Sequence, residues 1–337
     1  MNNKAVYLIK RPQGMPTPDD FAIRNHELPP LQKGEVKVQT IYLSVDPYMR
    51  SRMSGRTDSY IPPFKLNEVL TAGVVGKVTE SLDSNFHKGD LVLGMLGWQE
   101  FSIASAKHLT KLQLEEGIPL SNALSVVGMP GLTAYFGLLD IGKPQAGETV
   151  LVSGAAGAVG SIVGQIAKIQ GCHVVGIAGS NEKVQYLINE LNFDEAFNYK
   201  NVDLHEEIQR TCPNGVDIYF DNVGGEITDA VLNHLNKFAR IPICGAISEY
   251  NLTGENVGPR AFSKLLTKSA LAKGFLVGDY AKRTSEGTAA LAKWASEGKI
   301  QSRENIIDGL DKAVEAFLGL FRGENIGKQL VRVAKED

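Results

Sequence analysis

Residues 150–164 contain an apolar run, a cluster of small residues and a second apolar run, VLVSGAAGAVGSIVG. The first run predicts a buried strand, and the apolar spacing from Ala158 onward predicts a helix. A turn of Gly and Ala between strand and helix is typical of a Rossmann phosphate-binding turn, whose G-x-G-x-x-G places fall here on Ala155, Gly157 and Gly160. Gly157 would let the backbone approach a pyrophosphate, and Gly160 would let the helix pack closely. The alternative is a tight turn that serves packing alone.

Two different patterns lie on either side of residue 120. Before it, short alternating runs such as EVKVQTIYLSV and DLVLGMLG, separated by Gly, Pro and Asp, predict a small β-rich domain. After it, continuous apolar strands alternate with amphipathic helices, which predicts a doubly wound parallel sheet. SNALSVVGMPGLTAYFGLLDIG, at the change of pattern, predicts helix, although its central MPG is unfavourable there. The sequence therefore predicts an α/β protein with a β-rich first domain.

Length, charge and cysteine content agree with a two-domain enzyme. A chain of 337 residues exceeds one ordinary core. The formal net charge is −3 without a basic block, so neither a nucleic acid nor an anionic membrane surface is an expected partner. No signal-peptide pattern and no run long enough to cross a bilayer are found. The sparse cysteines Cys172, Cys212 and Cys244 favour buried, inert thiols and a cytoplasmic location.

The end of the second predicted Rossmann strand indicates which dinucleotide is bound. NAD-binding proteins usually place Asp or Glu there, about 20 residues after the turn, to hold the ribose. This chain reads IAGSNEK, with Gly179 and Ser180 at that place. No carboxylate would repel a 2′-phosphate, Ser180 can donate a hydrogen bond, and Lys183 follows one turn later as a cation. The pattern predicts a preference for NADPH over NADH; the alternative for Lys183 is an ordinary solvated helix lysine.

Residue patterns that bind zinc are missing from the sequence. The chain has no C-x-x-C pair, and the only histidine beside a cysteine is His173, next to Cys172. Neighbours on a strand point to opposite faces and cannot chelate one ion together. The sequence therefore predicts an enzyme without zinc, in which another group must stabilise a developing oxyanion.

Six motifs spread over nearly the whole chain resemble one known family: LSVDPYMRSRM, GMPGLTAYFGL, SGAAGAVGSIVGQIAK, YFDNVGG, CGAISEYN and GENIGKQ. They look like the zinc-independent prostaglandin reductases and alkenal double-bond reductases, a family of the medium-chain dehydrogenase/reductase superfamily. The resemblance implies a GroES-like domain at 1–122, a Rossmann domain at 123–299 and a return of residues 300–337 to the first domain. It also implies reduction by NADPH of the C=C bond of α,β-unsaturated ketones and aldehydes.

The resemblance further implies a set of cofactor contacts. The 2′-phosphate would be held by Ser180, Lys183 and Tyr199. The nicotinamide would be flanked by Met129 and Thr133, and its carboxamide bound by the backbone of Phe275, Leu276 and Val277. Further contacts would come from the glycine turn and from residues that follow other strands: Ala155, Gly157, Ala158, Val159, Gly160, Gly179, Asn222, Cys244, Gly245, Ile247 and Asn325.

Tyrosines are the candidates for the chemistry. Hydride delivered to the β-carbon of an enone pushes charge onto the carbonyl oxygen, and a hydrogen-bond donor aimed at that oxygen lowers the barrier. A tyrosine, with an ordinary pKa of about 10, stays protonated at neutral pH and packs against an apolar substrate. Tyr250 is the first candidate, with Tyr48 and Tyr60 beside the substrate. Tyr48 could equally be a packing residue, and the α-carbon proton could come from water or from a tyrosine.

Two alternative functions stay open, and a dimeric assembly is expected. A quinone reductase of the same superfamily would use the same turn, and a non-catalytic protein could hold NADPH as a redox sensor. The expected ligand is a small hydrophobic α,β-unsaturated carbonyl compound. By analogy with the superfamily, a homodimer would form through an edge strand of the Rossmann sheet, for which AKGFLVG is a candidate.

Overall fold

The computed structural model describes residues 2–113 and 117–336. Contacts within the chain group it into two compact units. The first comprises Met1–Leu124, Glu304–Asn325 and Gln329–Asp337, and the second comprises Ser125–Arg303 and Ile326–Lys328.

The first unit is built mainly from antiparallel strands, as the alternating sequence pattern predicts. Strands β3 and β5 lie at the centre of its larger sheet, with valines of both strands in the core because successive side chains point to opposite faces. Its strands up to residue 111 are β1 (Asn2–Leu8), β2 (Phe21–Glu27), β3 (Glu35–Ser44), β4 (Glu68–Val69), β5 (Thr71–Ser81), β6 (Leu91–Gly97), β7 (Phe101–Ser105) and β8 (Leu109–Lys111). A short helix, α1, spans Met49–Met53.

The second unit has a parallel sheet with helices between its strands. The six strands are β9 (Thr149–Ser153), β10 (His173–Ala178), β11 (Glu195–Asn198), β12 (Val216–Phe220), β13 (Leu235–Ile243) and β14 (Leu271–Gly274). The helices are α2 (Met129–Phe136), α3 (Gly160–Ile169), α4 (Asn181–Asn189), α5 (Leu204–Thr211), α6 (Gly225–Val231), α7 (Phe262–Lys268) and α8 (Thr284–Ser296). Every neighbouring strand pair is parallel. The predicted α/β class with a Rossmann-like sheet is confirmed.

The C-terminal segment rejoins the sheet of the first unit. It supplies β15 (Glu304–Asp308), α9 (Ala313–Arg322) and β16 (Lys328–Arg332). Leu330 of β16 pairs antiparallel with Ser44 of β3. On α9 the fully buried Phe317 ring meets Phe21 and Trp98 edge-on, an arrangement that aromatic rings favour. The last 34 residues thus complete the core of the first unit.

Strand order in the parallel sheet determines where a ligand can bind. The order is β11-β10-β9-β12-β13-β14, so the chain builds outward from β9 on one side and then from β12 on the other. This is the order of a dinucleotide-binding Rossmann sheet, in which ligands bind beyond the carboxyl ends of the strands where the direction reverses. The β9–β12 pair is that position here.

Two helix boundaries differ from the sequence-based expectation. The segment around MPG is not one helix: a 3-10 turn at Leu120–Leu124 is followed by α2, which begins at Met129 and continues as a π-helical stretch, Gly137–Gly142. Pro130 lies in the first turn of α2, where its missing N–H costs no helical hydrogen bond. Helix α3 begins at Gly160 rather than Ala158. It ends before Gly171, which has a φ of +80° as expected for a glycine just past a helix end.

None of the helices in the described part of the chain has the length and apolar character that crossing a bilayer requires.

Candidate functional site

Most of the predicted cofactor residues of the second unit lie at one edge of its sheet, because each follows the carboxyl end of a parallel strand. They form six groups, one per strand: 154–160 after β9, 179–180 after β10, Tyr199 after β11, Asn222 after β12, 244–247 after β13 and 275–277 after β14. Parallel strands present these ends on the same side. Asn325 belongs to the first unit, so its cofactor contact stays a prediction.

Glycine and alanine form most of the turn between β9 and α3. Gly154 has a φ of +58°, a conformation that side-chain-bearing residues rarely adopt. A Cβ on Gly160 would lie 2.5 Å from the Gly154 carbonyl oxygen and 2.8 Å from the Ala155 Cα. A Cβ on Gly157 would lie 3.2 Å from the Gly154 oxygen. The turn therefore has no room for side chains at these positions, and the start of α3 packs directly against it.

The C-terminal segment also contacts this turn through Gly327, which the sequence analysis did not single out. The Gly327 N–H donates to the Ala156 carbonyl oxygen at 2.8 Å, and Gly327 pairs with Gly157 as an isolated parallel bridge. A Cβ on Gly327 would lie 1.8 Å from the Arg303 carbonyl oxygen, and its φ is +71°. The only sequence signal for this contact was the glycine in GENIGKQ. Gly327 thus ties the C-terminal segment to the turn through backbone contacts with Ala156 and Gly157.

Asp221 organises the end of β12 and was also missed. Its side chain is 3% exposed. One carboxylate oxygen accepts hydrogen bonds from the Tyr219 hydroxyl and from the backbone N–H groups of Val223 and Gly224, at 2.9–3.0 Å. It also accepts from the Ser153 hydroxyl at 3.1 Å, while the other oxygen accepts from the Thr228 hydroxyl at 2.7 Å. Five donors offset the cost of burying this charge. The signal available in the sequence was a charged residue at the end of an apolar strand.

Asn222 joins the loops that follow β9, β12 and β13. Its side-chain amide donates to the Ser153 carbonyl oxygen at 2.7 Å, and its backbone N–H donates to the Ser153 hydroxyl at 3.0 Å. Its carbonyl oxygen accepts from the Ile247 N–H at 3.4 Å. Asn222 therefore has a structural function at the β9–β12 position, and its predicted contact with a cofactor would add to that function.

Tyr250 lies in the loop after β13. Its hydroxyl accepts a hydrogen bond from the Ala246 N–H at 3.4 Å. The hydroxyl oxygen lies 3.1 Å from where a Cβ on Gly245 would stand. The ring is half-buried, and its hydroxyl is held over the loop that contains the predicted residues Cys244, Gly245 and Ile247. An oxygen that accepts a hydrogen bond keeps its own proton for donation.

The end of β10 has no carboxylate at Gly179 or Ser180, although Glu182 follows in the first turn of α4. Ser180 caps helix α4, where its hydroxyl accepts from the Lys183 N–H at 3.3 Å. Lys183 is half-buried, and burial, followed by the charge of Lys200, lowers the pKa of its ammonium group. Its contact with a 2′-phosphate stays a prediction. A Cβ on Gly179 would lie 3.3 Å from the Tyr199 ring and 3.9 Å from the Lys200 ammonium nitrogen.

Met129 and Phe275, the predicted residues at the nicotinamide end, belong to the second unit. Met129 is the first residue of α2 and is 40% exposed; its carbonyl oxygen accepts a hydrogen bond from the Thr133 hydroxyl at 2.7 Å. Phe275 follows β14 and meets the Phe220 ring edge-on at 6.2 Å between centroids. Phe275 also approaches the backbone of Gly137 so closely that a Cβ there would lie 2.4 Å from its ring.

Tyr48 and Tyr60 belong to the first unit. Tyr48 immediately precedes α1 and packs against the hydrophobic core, and burial raises the pKa of its phenol well above the usual value. Tyr60 is 61% exposed. Arg52 interacts electrostatically with both phenols, while its guanidinium donates to Pro62 and Thr71 and lies 3.8 Å from the centre of the Phe64 ring. Packing of Tyr48 is thus observed, and its contact with substrate stays a prediction.

The cysteines are in the reduced state and are poor nucleophiles. Cys172 and Cys212 are buried, and burial raises the pKa of each thiol to about 11. Cys244 is partly exposed as a residue, but burial of its thiol raises the pKa of that group to about 12. Within residues 2–113 and 117–336, no three His, Cys, Asp or Glu side chains come together as ligands for an ion.

A parallel sheet in this strand order, a turn of glycine and small residues after its first strand and a β-rich first unit define a dinucleotide-binding medium-chain dehydrogenase/reductase. Two family models agree: one for the N-terminal domain of oxidoreductases matches residues 4–112, and one described as zinc-binding dehydrogenase matches residues 158–295.

Similar proteins define the family more closely. Mouse prostaglandin reductase 1 is 47% identical, with 98% of both chains covered, and tobacco 2-alkenal reductase (NADP⁺-dependent) is 44% identical, with 100% of this chain and 99% of the relative covered. The crystal structure of CurA in complex with NADPH from Vibrio vulnificus superposes with a TM-score of 0.94 at 43% identity, covering 98% of this chain and 99% of the other. The chain belongs to the zinc-independent prostaglandin reductase and alkenal double-bond reductase family.

The closeness of the turn to α3 can be tested with Gly160→Ala. We expect a lower melting temperature and a free energy of unfolding that is smaller by about 1–3 kcal/mol, because the added methyl group must displace the Gly154–Ala155 backbone. Thermal unfolding followed by circular dichroism measures this. Gly254→Ala is the matched control, since a Cβ at Gly254 meets nothing within 4 Å. Equal melting temperatures for the two variants would contradict the packing described here.

Proposed function

We propose that the protein reduces the C=C bond of α,β-unsaturated ketones and aldehydes with NADPH as the hydride donor. The observation that carries the proposal is the end of β10, where Ser180, Lys183 and Lys200 surround a position that lacks a carboxylate. Cations there suit a dinucleotide with an additional phosphate. The substrate class is supported by the relatives, one of which is named for its action on 2-alkenals.

The residues of the second unit fit this cofactor. The backbone from Gly154 to Gly160 would take the pyrophosphate, because its residues are glycines and small apolar residues and it leads into the N-terminus of α3. Ser180, Lys183 and Tyr199 would hold the 2′-phosphate. Met129, Thr133 and the backbone of 275–277 would hold the nicotinamide end. When bound, NADPH supplies the hydride that adds to the β-carbon of the substrate.

Tyr250 supplies the electrostatic part of the reaction in this proposal. Negative charge develops on the substrate carbonyl oxygen as the β-carbon is reduced, and a hydrogen bond to that oxygen stabilises the transition state. The Ala246 N–H holds the Tyr250 hydroxyl in place, so its proton needs little reorganisation to reach a ligand oxygen. Tyr48 and Tyr60 would line the substrate pocket, where the high pKa of Tyr48 keeps its phenol protonated at neutral pH. Water or a tyrosine then protonates the α-carbon.

Turnover with a defined panel tests the proposed reaction. We expect NADPH oxidation, followed by its absorbance, with a medium-chain 2-alkenal or a conjugated ketone and none with the saturated analogue. NADH should give a kcat/KM at least about tenfold lower, because it lacks the 2′-phosphate. Product analysis should show a saturated carbonyl compound.

The same panel separates the other functions. A kcat/KM for quinones well above that for enones would support a quinone reductase instead. Tight NADPH binding without turnover of any member would support a sensor. Equal kcat/KM values for NADPH and NADH would contradict the cofactor assignment.

The function of Tyr250 can be tested with Tyr250→Phe. We expect kcat for enone reduction to fall on the order of a hundredfold because a donor to the developing oxyanion is lost. The Kd for NADPH, measured by fluorescence titration, should change little. Tyr7→Phe is a control that removes a phenol from β1 of the first unit. If Tyr250→Phe turns over as fast as the wild type, Tyr250 takes no part in the reaction.

We also propose that two copies of the chain associate through the edge of the sheet formed by β14. In the described structure β14 is the last strand of its sheet, and Leu271 on it is 51% exposed. Phe262 and Leu266 of α7 are 85% and 80% exposed. An edge strand is self-complementary, because two copies can pair across a two-fold axis.

The double variant Phe262→Glu, Leu266→Glu tests this assembly. We expect the wild type to elute as a dimer and the variant as a monomer in size-exclusion chromatography with light scattering, because charged residues disfavour an apolar interface. Phe238→Glu, at a residue 64% exposed on β13, is the control and should stay dimeric. A monomeric wild type would refute the proposal.

A further inference from the structure

The ammonium group of Lys200 lies beside the end of β10. It follows Tyr199 directly after β11, the neighbour of β10 in the sheet. Its nitrogen is 3.9 Å from where a Cβ on Gly179 would stand and 6.0 Å from the centre of the Tyr199 ring. Among the described residues no ion pair involves Lys200. The side chain is exposed, so it can reorient toward a ligand.

A second cation at this place is unfavourable for the protein alone. The pKa of the half-buried Lys183 is lowered first by burial and then by the charge of Lys200, while Glu182 acts in the opposite direction. Like charges that repel one another cost folding free energy unless something compensates them. A group with two negative charges placed between them would convert the repulsion into two attractive interactions.

We propose that Lys200 is a second cationic ligand of the cofactor's 2′-phosphate and determines, together with Lys183, the preference for NADPH. This inference rests on the proposed function, because it requires that the dinucleotide binds at the end of β10. Both the ring of Tyr199 and the side chain of Lys200 lie within 4 Å of the Gly179 Cβ position, so Tyr199 can hold the adenosine end while Lys200 reaches the phosphate from the β11 side. Lys200 acts as a specificity-determining residue and takes no part in hydride transfer.

Direct binding of two small probes tests the inference without turnover. Adenosine 2′,5′-bisphosphate and adenosine 5′-monophosphate differ only in the 2′-phosphate, and calorimetry on the full chain gives a Kd for each. For Lys200→Met we expect the bisphosphate Kd to rise on the order of tenfold and the monophosphate Kd to stay within about twofold. Lys200→Arg should keep most of the affinity because it keeps the charge.

Lys237→Met is the matched control. Lys237 is also exposed and lies 5.1 Å from the centre of the neighbouring Phe238 ring, but on β13, three strands away from β10. We expect both of its Kd values to equal those of the wild type. In turnover, the NADPH-to-NADH ratio of kcat/KM should fall for Lys200→Met by the same factor as the bisphosphate affinity.

The possible results distinguish the function of Lys200 from the assignment of NADPH as the cofactor. If the wild type prefers the bisphosphate and Lys200→Met keeps that preference, Lys200 is not a phosphate ligand, while the proposed cofactor stands. If the wild type binds both probes equally, the NADPH assignment and the function of Lys200 both fail. A loss of affinity for both probes in Lys200→Met would also refute a phosphate-specific function.

Discussion

The buried carboxylate of Asp221 holds together the part of the sheet on which the candidate site depends. It accepts hydrogen bonds from Ser153 at the end of β9, from Tyr219 on β12 and from two backbone N–H groups just before α6. A charge this buried is stable only if every donor stays in place. The position where the chain reverses its direction of growth is thereby fixed, and with it the loops that would meet a dinucleotide.

Close backbone contacts complete this framework. Gly160 brings α3 against the turn, and Gly327 brings the C-terminal segment against it from another direction. Both contacts exclude even a methyl group, so the turn is held by its neighbours rather than by its own residues. A turn of small residues that is held by its neighbours at a helix N-terminus needs little reorganisation when it binds phosphate.

In the proposed function, charge at the end of β10 provides the selectivity for NADPH. Rossmann proteins that bind NAD place a carboxylate there, which would repel a further phosphate. Here the half-buried Lys183 and the exposed Lys200 make the position electropositive before any ligand binds. The same charges that are unfavourable for the folded chain alone therefore favour a cofactor with an additional phosphate.

Much of the fold was readable from local pattern, because strand and helix periodicity and the Gly/Ala turn are properties of short segments. The sequence alone determined the α/β class, the turn at 154–160 and the absence of an acid at 179–180. It could not place the start of α2, where Pro130 decides the boundary, and it did not reveal that Asp221, Gly327 and Lys200 lie close to the predicted cofactor residues. Each of the three contacts a residue that is distant in the chain. Asp221 contacts Ser153, 68 residues away, and Gly327 contacts Ala156, 171 residues away. Lys200 lies close to Gly179, 21 residues away. Contacts between segments so far apart arise only when the sheet assembles, and for that reason the tertiary structure alone decided them.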